Sequence, residues 1–344
     1  MNYDVTIGIP VYNIAQYIRR GLESALAQTH QSIEFLVLDD CGTDGSIDIV
    51  REYQQSHPRG SDIRIVSQPR NMGVGHGRNR IVSEARGRYL YFMDGDDAIA
   101  PDTISLLYAA AVECDAQLVY GSYQRVETFD GQTKTVAMQY ERQRFLQPDE
   151  FATFAYQRYD GLQAMVWNIL ISISVYRDNN LQHLPITYWE DFTFTMDLPT
   201  YVTRVVMLPD VTYSYFCRYG SLSNFQKRKY IEKREIESTV GAMRFLKSGS
   251  RRIMHKSYFP MRMCKVMETC FYIVCNILHN HDVITPPFNN REMRDIMRSP
   301  LALNEVLSFR QKFARNLLLY VFGILPPSAS VALMRFIGKR KHLI

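Results

Sequence analysis

The chain is expected to form an α/β fold: a mostly parallel central sheet flanked by helices, followed by a helical carboxyl-terminal region. Five short apolar runs alternate with amphipathic stretches through the first 121 residues. Turn-forming and acidic residues follow several of these runs directly, and from about Tyr230 the pattern becomes helical and basic. Strand and helix in alternation, joined by right-handed crossovers, give a parallel sheet covered on both faces.

In chain order, Val5–Ile9 reads as the first strand, and Tyr17, Ile18, Leu22, Ala25 and Leu26 share one face of the helix after it. Glu34–Leu38 is the second strand, with Ile47, Val50 and Tyr53 striping the next helix. Ile63–Ser67 is the third, and Ile81, Val82 and Ala85 mark the helix before a fourth strand at Tyr89–Met93. Gln117–Tyr120 is the fifth. The polar stretch Gln124–Arg144 contains Asp130-Gly131 and reads as a hairpin. Residues 148–225 hold one more helix pattern and an aromatic stretch around Tyr188–Phe194. Phe288–Pro300, polar at both ends and closed by proline, reads as a connector.

At 344 residues, with 46% apolar and 22% charged residues, the chain can hold one large globular domain or two modest ones. The net charge of +5 is uneven, because basic residues crowd Gln226–Arg234, Arg251–Lys265 and Lys339–Lys341. That favours a phosphate-bearing partner or an anionic membrane surface for the second half. Nucleic acid is not expected, since no basic, aromatic-interleaved strand or zinc-finger pattern occurs. The six cysteines include no C-x-x-C pair and look like reduced, cytosolic thiols. Cys270, Cys275, His279 and His281 match no zinc spacing, so buried helix cysteines are expected. The amino terminus has no basic and apolar leader pattern, and no apolar run reaches the roughly 20 residues of a spanning helix.

Residues 88–97, Arg-Tyr-Leu-Tyr-Phe-Met-Asp-Gly-Asp-Asp, are the most informative stretch. An apolar strand ends in Asp94, Asp96 and Asp97, and strand alternation sends Asp94 and Asp96 to one side at its carboxyl end. Ligands of open α/β sheets bind at that edge. Two adjacent carboxylates repel unless a cation neutralises them, and a hard divalent ion suits oxygen ligands. The competing reading is an Asp/Gly turn before a helix. Three further features fall at the same edge: Pro10-Val11-Tyr12-Asn13, then Asp39-Asp40-Cys41-Gly42-Thr43-Asp44, then Asn71-Met72-Gly73 through Arg78-Asn79. A carboxylate after the second strand can accept from a base imide or a ribose hydroxyl. A glycine-rich helix start with Arg78 can meet an anion. Each stretch is also an ordinary turn or cap.

In this order, Ile9-Pro10-Val11-Tyr12-Asn13, Leu38-Asp39-Asp40-Cys41-Gly42-Thr43-Asp44-Gly45-Ser46, Asn71-Met72-Gly73, Gly77-Arg78-Asn79 and Met93-Asp94-Gly95-Asp96-Asp97, the chain resembles family-two glycosyltransferases. These are inverting enzymes of the GT-A fold. The resemblance covers roughly residues 3 to 225 and implies a sugar-nucleotide donor, expected to be a UDP-sugar, and a Mn²⁺ or Mg²⁺ ion at the D-x-D element. It implies a catalytic domain over 1–225, with nucleotide-sugar binding in 1–121 and the acceptor side in 122–225, before a helical region over 226–344. By position it assigns Pro10, Tyr12 and Asn13 to the base and ribose pocket, and Asp39 or Asp40 to the uracil or ribose. Asn71 and Arg78 fall near base and diphosphate, Asp94 with Gly95 on the donor, and Asp96 on the metal, shared with Asp94.

The second half carries the resemblance more loosely. Trp167-Asn168 matches an element ahead of the acceptor site, although Ile169 stands where the family has a lysine. Tyr188-Trp189-Glu190-Asp191 resembles the element supplying the catalytic base, which would be Asp191. Inverting transfer needs such a carboxylate, and Trp189 offers an aromatic wall for a sugar. The competing reading of Glu190-Asp191 is a pair of acids at a helix N-terminus. Arg218, with Ser221, matches an element near the diphosphate.

In the tail, Phe313–Ile324 is apolar apart from Arg315 and Asn316, and after Pro326-Pro327 come Val331, Leu333, Met334, Phe336 and Ile337, capped by Lys339-Arg340-Lys341. They read either as interfacial membrane helices or as helices packed on protein or a second subunit. The expected function is a cytoplasmic, metal-dependent transferase extending a glycan or lipid-linked acceptor in cell-surface polysaccharide synthesis, with a peripheral position on the inner membrane face left open. A sugar-nucleotide nucleotidyltransferase would need a basic Gly-rich loop after the first strand. A non-catalytic binding module would lack a base, so Asp191 discriminates.

Overall fold

The computed structural model describes residues 3–129, 131–157, 164–186, 189–217 and 229–344. Contacts divide the chain into two compact units, Met1–Phe151 with Gln163–Asn224, and Ala152–Leu162 with Phe225–Ile344.

The first unit begins β1 (Tyr3–Val11), α1 (Ala15–Leu26), β2 (Ile33–Asp39), α2 (Ser46–Ser56), β3 (Ile63–Ser67), α3 (Val74–Glu84) and β4 (Gly87–Phe92). These four strands pair parallel with one another, as the strand–helix alternation requires. Val5, Ile7, Ile9 and Val11 of β1 and Ile33 to Leu38 of β2 are buried, with Glu34 the one polar residue among them, the signature of strands covered on both faces. Ile18, Leu22, Ala25 and Leu26 bury the predicted stripe of α1. Truncating a fully buried leucine such as Leu22 should cost about 2–5 kcal/mol.

The unit continues with β5 (Ala98–Ile99), α4 (Thr103–Glu113), β6 (Leu118–Phe129), β7 (Gln132–Met138), β8 (Gln143–Phe145), β9 (Ile169–Ser172), α6 (Ile173–Asp178), α7 (Glu190–Asp197) and β10 (Val205–Cys217), whereas α5 (Glu150–Gln157) belongs from Ala152 onward to the second unit. The sheet order is β3-β2-β1-β4-β9-β6-β10-β5, with β7 on β6 and β8 on β10. β9 runs antiparallel to both β4 and β6, so one reversed strand sits in an otherwise parallel core. The expected hairpin over 124–144 is β6–β7, although Asp130 lies outside the described residues. Residues 148–225 hold more than the single helix expected: β9 and β10 were not legible, since β9 is four residues long and Pro209-Asp210 interrupts β10.

The second unit comprises β11 (Ile231–Glu232), α8 (Lys233–Gly249), α9 (Phe259–His279), β12 (Ile284–Thr285), α10 (Asn290–Ile296), α11 (Leu303–Leu307), α12 (Phe313–Ile324) and α13 (Pro327–Arg340). Fifteen of the 21 residues of α9 are buried, which makes it the central helix around which the others pack. Cys264, Cys270 and Cys275 are buried in it, and all six cysteines are free thiols. Buried Lys247 donates to the carbonyls of Ile296 and Arg298 at 2.6 and 2.9 Å, and buried Arg262 donates to Ser250 Oγ at 2.6 Å. These bonds remove the cost of burying both cations unpaired. The expected connector at 288–300 is instead largely α10. Asn289 and Glu292 form a capping box, so two short polar side chains start a helix where polarity alone suggested a loop. In the tail, Phe322 of α12 stacks on Phe271 of α9 at 5.5 Å, so one face of the tail packs on protein. Among the described residues no helix is long and apolar enough to cross a membrane.

Candidate active site

Parallel β1, β2 and β4 bring their carboxyl ends to one edge of the sheet, where register aligns Val11 with Asp39 and Gly8 with Phe92. The Asp94–Gly95–Asp96 turn leaves β4 at that edge. α1 lies directly against it: a Cβ on Gly21 would come 2.4 Å from the Gly95 carbonyl oxygen, so only glycine permits this approach. Arg20 of α1 donates to the Asp96 carbonyl oxygen, and its guanidinium lies 3.5 Å from the Phe216 ring centroid. Burial pushes Asp94 up to about 6; Arg78 opposes that shift, while Asp96 and Asp191 add to it. The influence of Asp191 on Asp94 is the point at which the second half of the unit meets the first.

Asp97 is buried for a different purpose. Its two carboxylate oxygens accept from the Tyr213 hydroxyl at 2.7 Å and the Phe216 amide at 2.9 Å. The same Tyr213 hydroxyl accepts from the Asp94 amide at 3.2 Å, so β10 holds the acidic turn through one phenol. Burial first, then Asp96 and Asp94, raises Asp97 well above the usual carboxylate range.

Arg78 of α3 and Glu190 at the start of α7 form a buried ion pair. The second terminal nitrogen of Arg78 is 3.6 Å from Asp94. The sequence suggested a diphosphate contact for Arg78 and an acceptor-side role for Glu190; the structure commits them chiefly to each other, which orients α7 against the acidic turn. Asn79 adds to this grip, accepting from the His183 amide and donating to its carbonyl, both at 2.8 Å. A Cβ on Gly75 would lie 2.0 Å from the Leu184 carbonyl oxygen, so the segment before α7 rests on bare α3 backbone. Buried His183 stacks on Phe194 at 4.2 Å, and burial together with Arg78 keeps its pKa well below the usual value. Asp191, half-buried, follows Glu190. Burial raises it above the ordinary carboxylate range, and Arg78 and the Phe192 amide oppose that shift.

The remaining sequence candidates separate into loop holders and free faces. Asp40 accepts from the amides of Met72 and Gly73 at 2.9 and 3.1 Å, so both its oxygens clamp the 71–73 loop. Asn71 accepts from the Gly73 amide at 3.0 Å within that loop. Asn13, in the left-handed region at φ 51°, accepts from the Thr43 amide at 2.7 Å and ties the first loop to the second. Asp39 accepts from the Cys41 amide and the Ser67 hydroxyl at the tip of β2. Tyr12, two residues beyond half-buried Pro10, is 48% exposed beside these loops and offers an open aromatic face.

Trp167 and Asn168 are corrections. The sequence put them on the acceptor side, but both are buried inside the sheet. Trp167 stacks on Tyr213 at 4.5 Å and 9°, behind the phenol that holds the acidic turn. Asn168 donates to the carbonyls of Gly121 and Ser122 and accepts from the hydroxyls of Tyr91 and Thr212, leaving no polar atom for a ligand. Trp189 caps α7 at φ 67° with its ring 5.0 Å from Phe192. Tyr188, Arg218 and Ser221 lie outside the described residues. Sequence reasoning missed Arg20, Tyr213 and the bonding of Asp97. Period-two alternation along β10 was the available signal for Tyr213; Arg20 left none, because it sits on the polar face of an amphipathic helix.

The sequence pattern of Glycosyl transferase family 2 matches residues 6–168. Over 127 residues the chain is 34% identical to Glycosyltransferase GlyA of Streptococcus pneumoniae, covering 37% of this chain and 18% of GlyA. The chain thus spans about a fifth of that relative's length. Over 260 residues it is 25% identical to the succinoglycan biosynthesis protein ExoO of Rhizobium meliloti, covering 74% of this chain and 72% of ExoO. Among solved structures, S. aureus TarS 1–349 aligns with a TM-score of 0.69 at 16% identity, over 98% of this chain and 92% of TarS 1–349. The same TarS fragment in complex with UDP-GlcNAc aligns at 0.58, with 17% identity and coverage of 93% and 90%. The mannosyltransferase PcManGT of Pyrobaculum calidifontis, in complex with GDP-Man and Mn²⁺, aligns at 0.51, with 13% identity and coverage of 98% and 88%. At such identities the likeness to these structures speaks for the fold, which is of the GT-A type. Motif order, sheet architecture and the matched pattern agree, and residues 6–168 of this chain carry the pattern of glycosyl transferase family 2.

Proposed function

We propose that this chain is a glycosyltransferase that moves a sugar from a UDP-sugar to a hydroxyl of a glycan or lipid-linked acceptor, with inversion at the anomeric carbon. The observation that carries the reading is that Arg78 pairs with Glu190 and lies 3.6 Å from Asp94, which sets Asp191, at the start of α7, near the Asp94–Gly95–Asp96 turn at the carboxyl edge of the sheet. The acceptor hydroxyl must lose a proton as it attacks, and a nucleoside diphosphate must leave with its charge balanced. Asp191 takes the proton. Its raised pKa makes it a stronger base than a surface aspartate, while Arg78 keeps it from being pushed further toward the neutral form. Attack on the face opposite the leaving diphosphate inverts the anomeric centre.

Asp96 and Asp94 would hold a Mn²⁺ or Mg²⁺ ion. The donor set fits: two carboxylates one residue apart supply hard oxygen ligands, with Arg78 3.6 Å from Asp94. When bound, such an ion stabilises the charge of the leaving group. Asp40 is buried and spent on the 71–73 loop, so half-buried Asp39, which shares its oxygens with the Cys41 amide and the Ser67 hydroxyl, is the carboxylate that accepts from base or ribose, and Tyr12 covers the base. Trp189 offers a ring for the acceptor sugar. The UDP-GlcNAc bound by TarS supports the donor class, and the name of ExoO supports a polysaccharide acceptor. A panel of sugar nucleotides assayed for nucleotide release with Mn²⁺ tests the reading. Turnover with a UDP-sugar that Asp191→Asn removes is expected. Tight binding of sugar nucleotides without turnover toward any glycan would reduce the chain to a binding module.

A further inference from the structure

The tail of the second unit combines two properties that globular surfaces rarely share. Residues 306 to 344 contain seven Lys and Arg and not one Asp or Glu. Of these cations only Arg315 pairs with a carboxylate among the described residues, at 2.9 Å from Glu268. The outward side of the same segment is apolar. α12 buries Asn316, Leu319, Phe322 and Gly323, and leaves Phe313, Leu318 and Ile324 exposed, Ile324 to 59%. Leu303 and Leu307 of α11, four residues apart and so on one helical face, are exposed too. On α13, Val331 and Met334 pack inward while Phe336 stays 54% exposed with the Arg340 guanidinium 4.7 Å from its ring centroid. A helix whose buried stripe is already satisfied, yet whose other side is also apolar, has a second surface left to cover.

Charge chooses the occupant. A second copy meeting this face through two-fold symmetry would set its seven cations against seven more. An anionic bilayer reverses that sign and accepts the apolar side chains between its headgroups. We infer that α11 to α13 form a docking surface for an anionic phospholipid membrane, which they meet at the interface without spanning it. The inference stands on this unit alone and does not depend on the donor or on catalysis.

The test is flotation of the full chain with vesicles of phosphatidylglycerol in phosphatidylcholine, and with phosphatidylcholine alone. Binding to the anionic vesicles only is expected, and it should weaken as salt rises from about 0.05 to about 0.5 M. The combined change Lys339→Gln, Arg340→Gln and Lys341→Gln should lower affinity roughly a hundredfold. The pair Ile324→Ser and Phe336→Ser should lower it at every salt concentration, because that part is not electrostatic. All five positions are exposed, so circular dichroism should report an unchanged fold. Equal binding or no binding to both vesicle types overturns the inference. So does a concentration-dependent dimer, seen by sedimentation and abolished by the serine pair, in a chain that ignores anionic lipid; the covering partner is then a second copy.

Discussion

Among the described residues, the two units of this chain gather charges of opposite sign. In the first unit, Asp94, Asp96, Asp97, Glu190 and Asp191 crowd one sheet edge, where Arg78 is the cation that acts on Asp94, Asp191 and Glu190 alike. In the second, the last 39 residues carry cations and no acid. Elsewhere both units neutralise their buried charges locally, as Lys247 does with two carbonyls. Excess charge of one sign is costly when gathered by folding, so it marks where something outside the chain completes the balance. The lesson is directional: the acidic edge fits a cation with a diphosphate, and the basic tail fits an anionic surface.

Removing an acid from the first unit should have the largest effect. Asp96→Ala is expected to abolish sugar transfer while circular dichroism and thermal unfolding stay close to wild type, and chelation of the wild type should do the same. Full activity in excess EDTA would break the comparison, since the acidic edge would then need no cation.

Asp191→Asn keeps the shape of the side chain but cannot take a proton. A loss of about 10² or more in kcat is expected, with donor affinity nearly unchanged in titration calorimetry. Because the base must be ionised, wild-type kcat should fall as pH drops through a value above the ordinary aspartate range. Collapse of donor binding together with turnover would make Asp191 a structural helix acid instead.

Arg78 sharpens the contrast between buried and exposed pairing. Arg78→Met leaves Glu190 buried and unpaired, and should cost about 3–5 kcal/mol in denaturant unfolding, most of it recovered by adding Glu190→Met. In whatever fraction folds, the acid limb of kcat should move to higher pH, because Arg78 is the cation that lowers Asp191. An unmoved limb would mean that Arg78 serves α7 only as an anchor.

The smallest effect belongs to the second unit. Arg315 and Glu268 pair at 2.9 Å, but the arginine side chain is half exposed to water. A double-mutant cycle on this pair should give a coupling of about 1 kcal/mol or less, falling with salt. A coupling as large as that of Arg78 with Glu190 would show that the tail is held by charge rather than by Phe322 on Phe271.

Much of the first unit was readable because its signals are local. The apolar runs at 5–9, 34–38 and 63–67 each lie inside an observed strand, and the acids at 94, 96 and 97 follow the fourth strand directly. Their gathering at one edge follows from parallel pairing, which the strand–helix alternation already demands. The start of α10 carried an equally local signal, Asn289 with Glu292, which polarity masked.

Sequence by itself determined the strand order in time, the motif series and the sign of the charge in each half, since periodicity and composition need no partner to be read. Tertiary structure alone decided which candidates touch solvent and which hold others. Asp39 and Asp40 look equivalent in the sequence, yet Asp40 is buried and clamps the 71–73 loop, while half-buried Asp39 accepts from Cys41 and Ser67 at the tip of β2. Trp167 and Asn168 look like contact residues, yet they brace Tyr213 and the strands from inside. Arg78 and Glu190 lie 112 positions apart and become one buried pair. Such assignments rest on hydrogen-bond geometry and burial across long loops, and a local pattern carries no record of either.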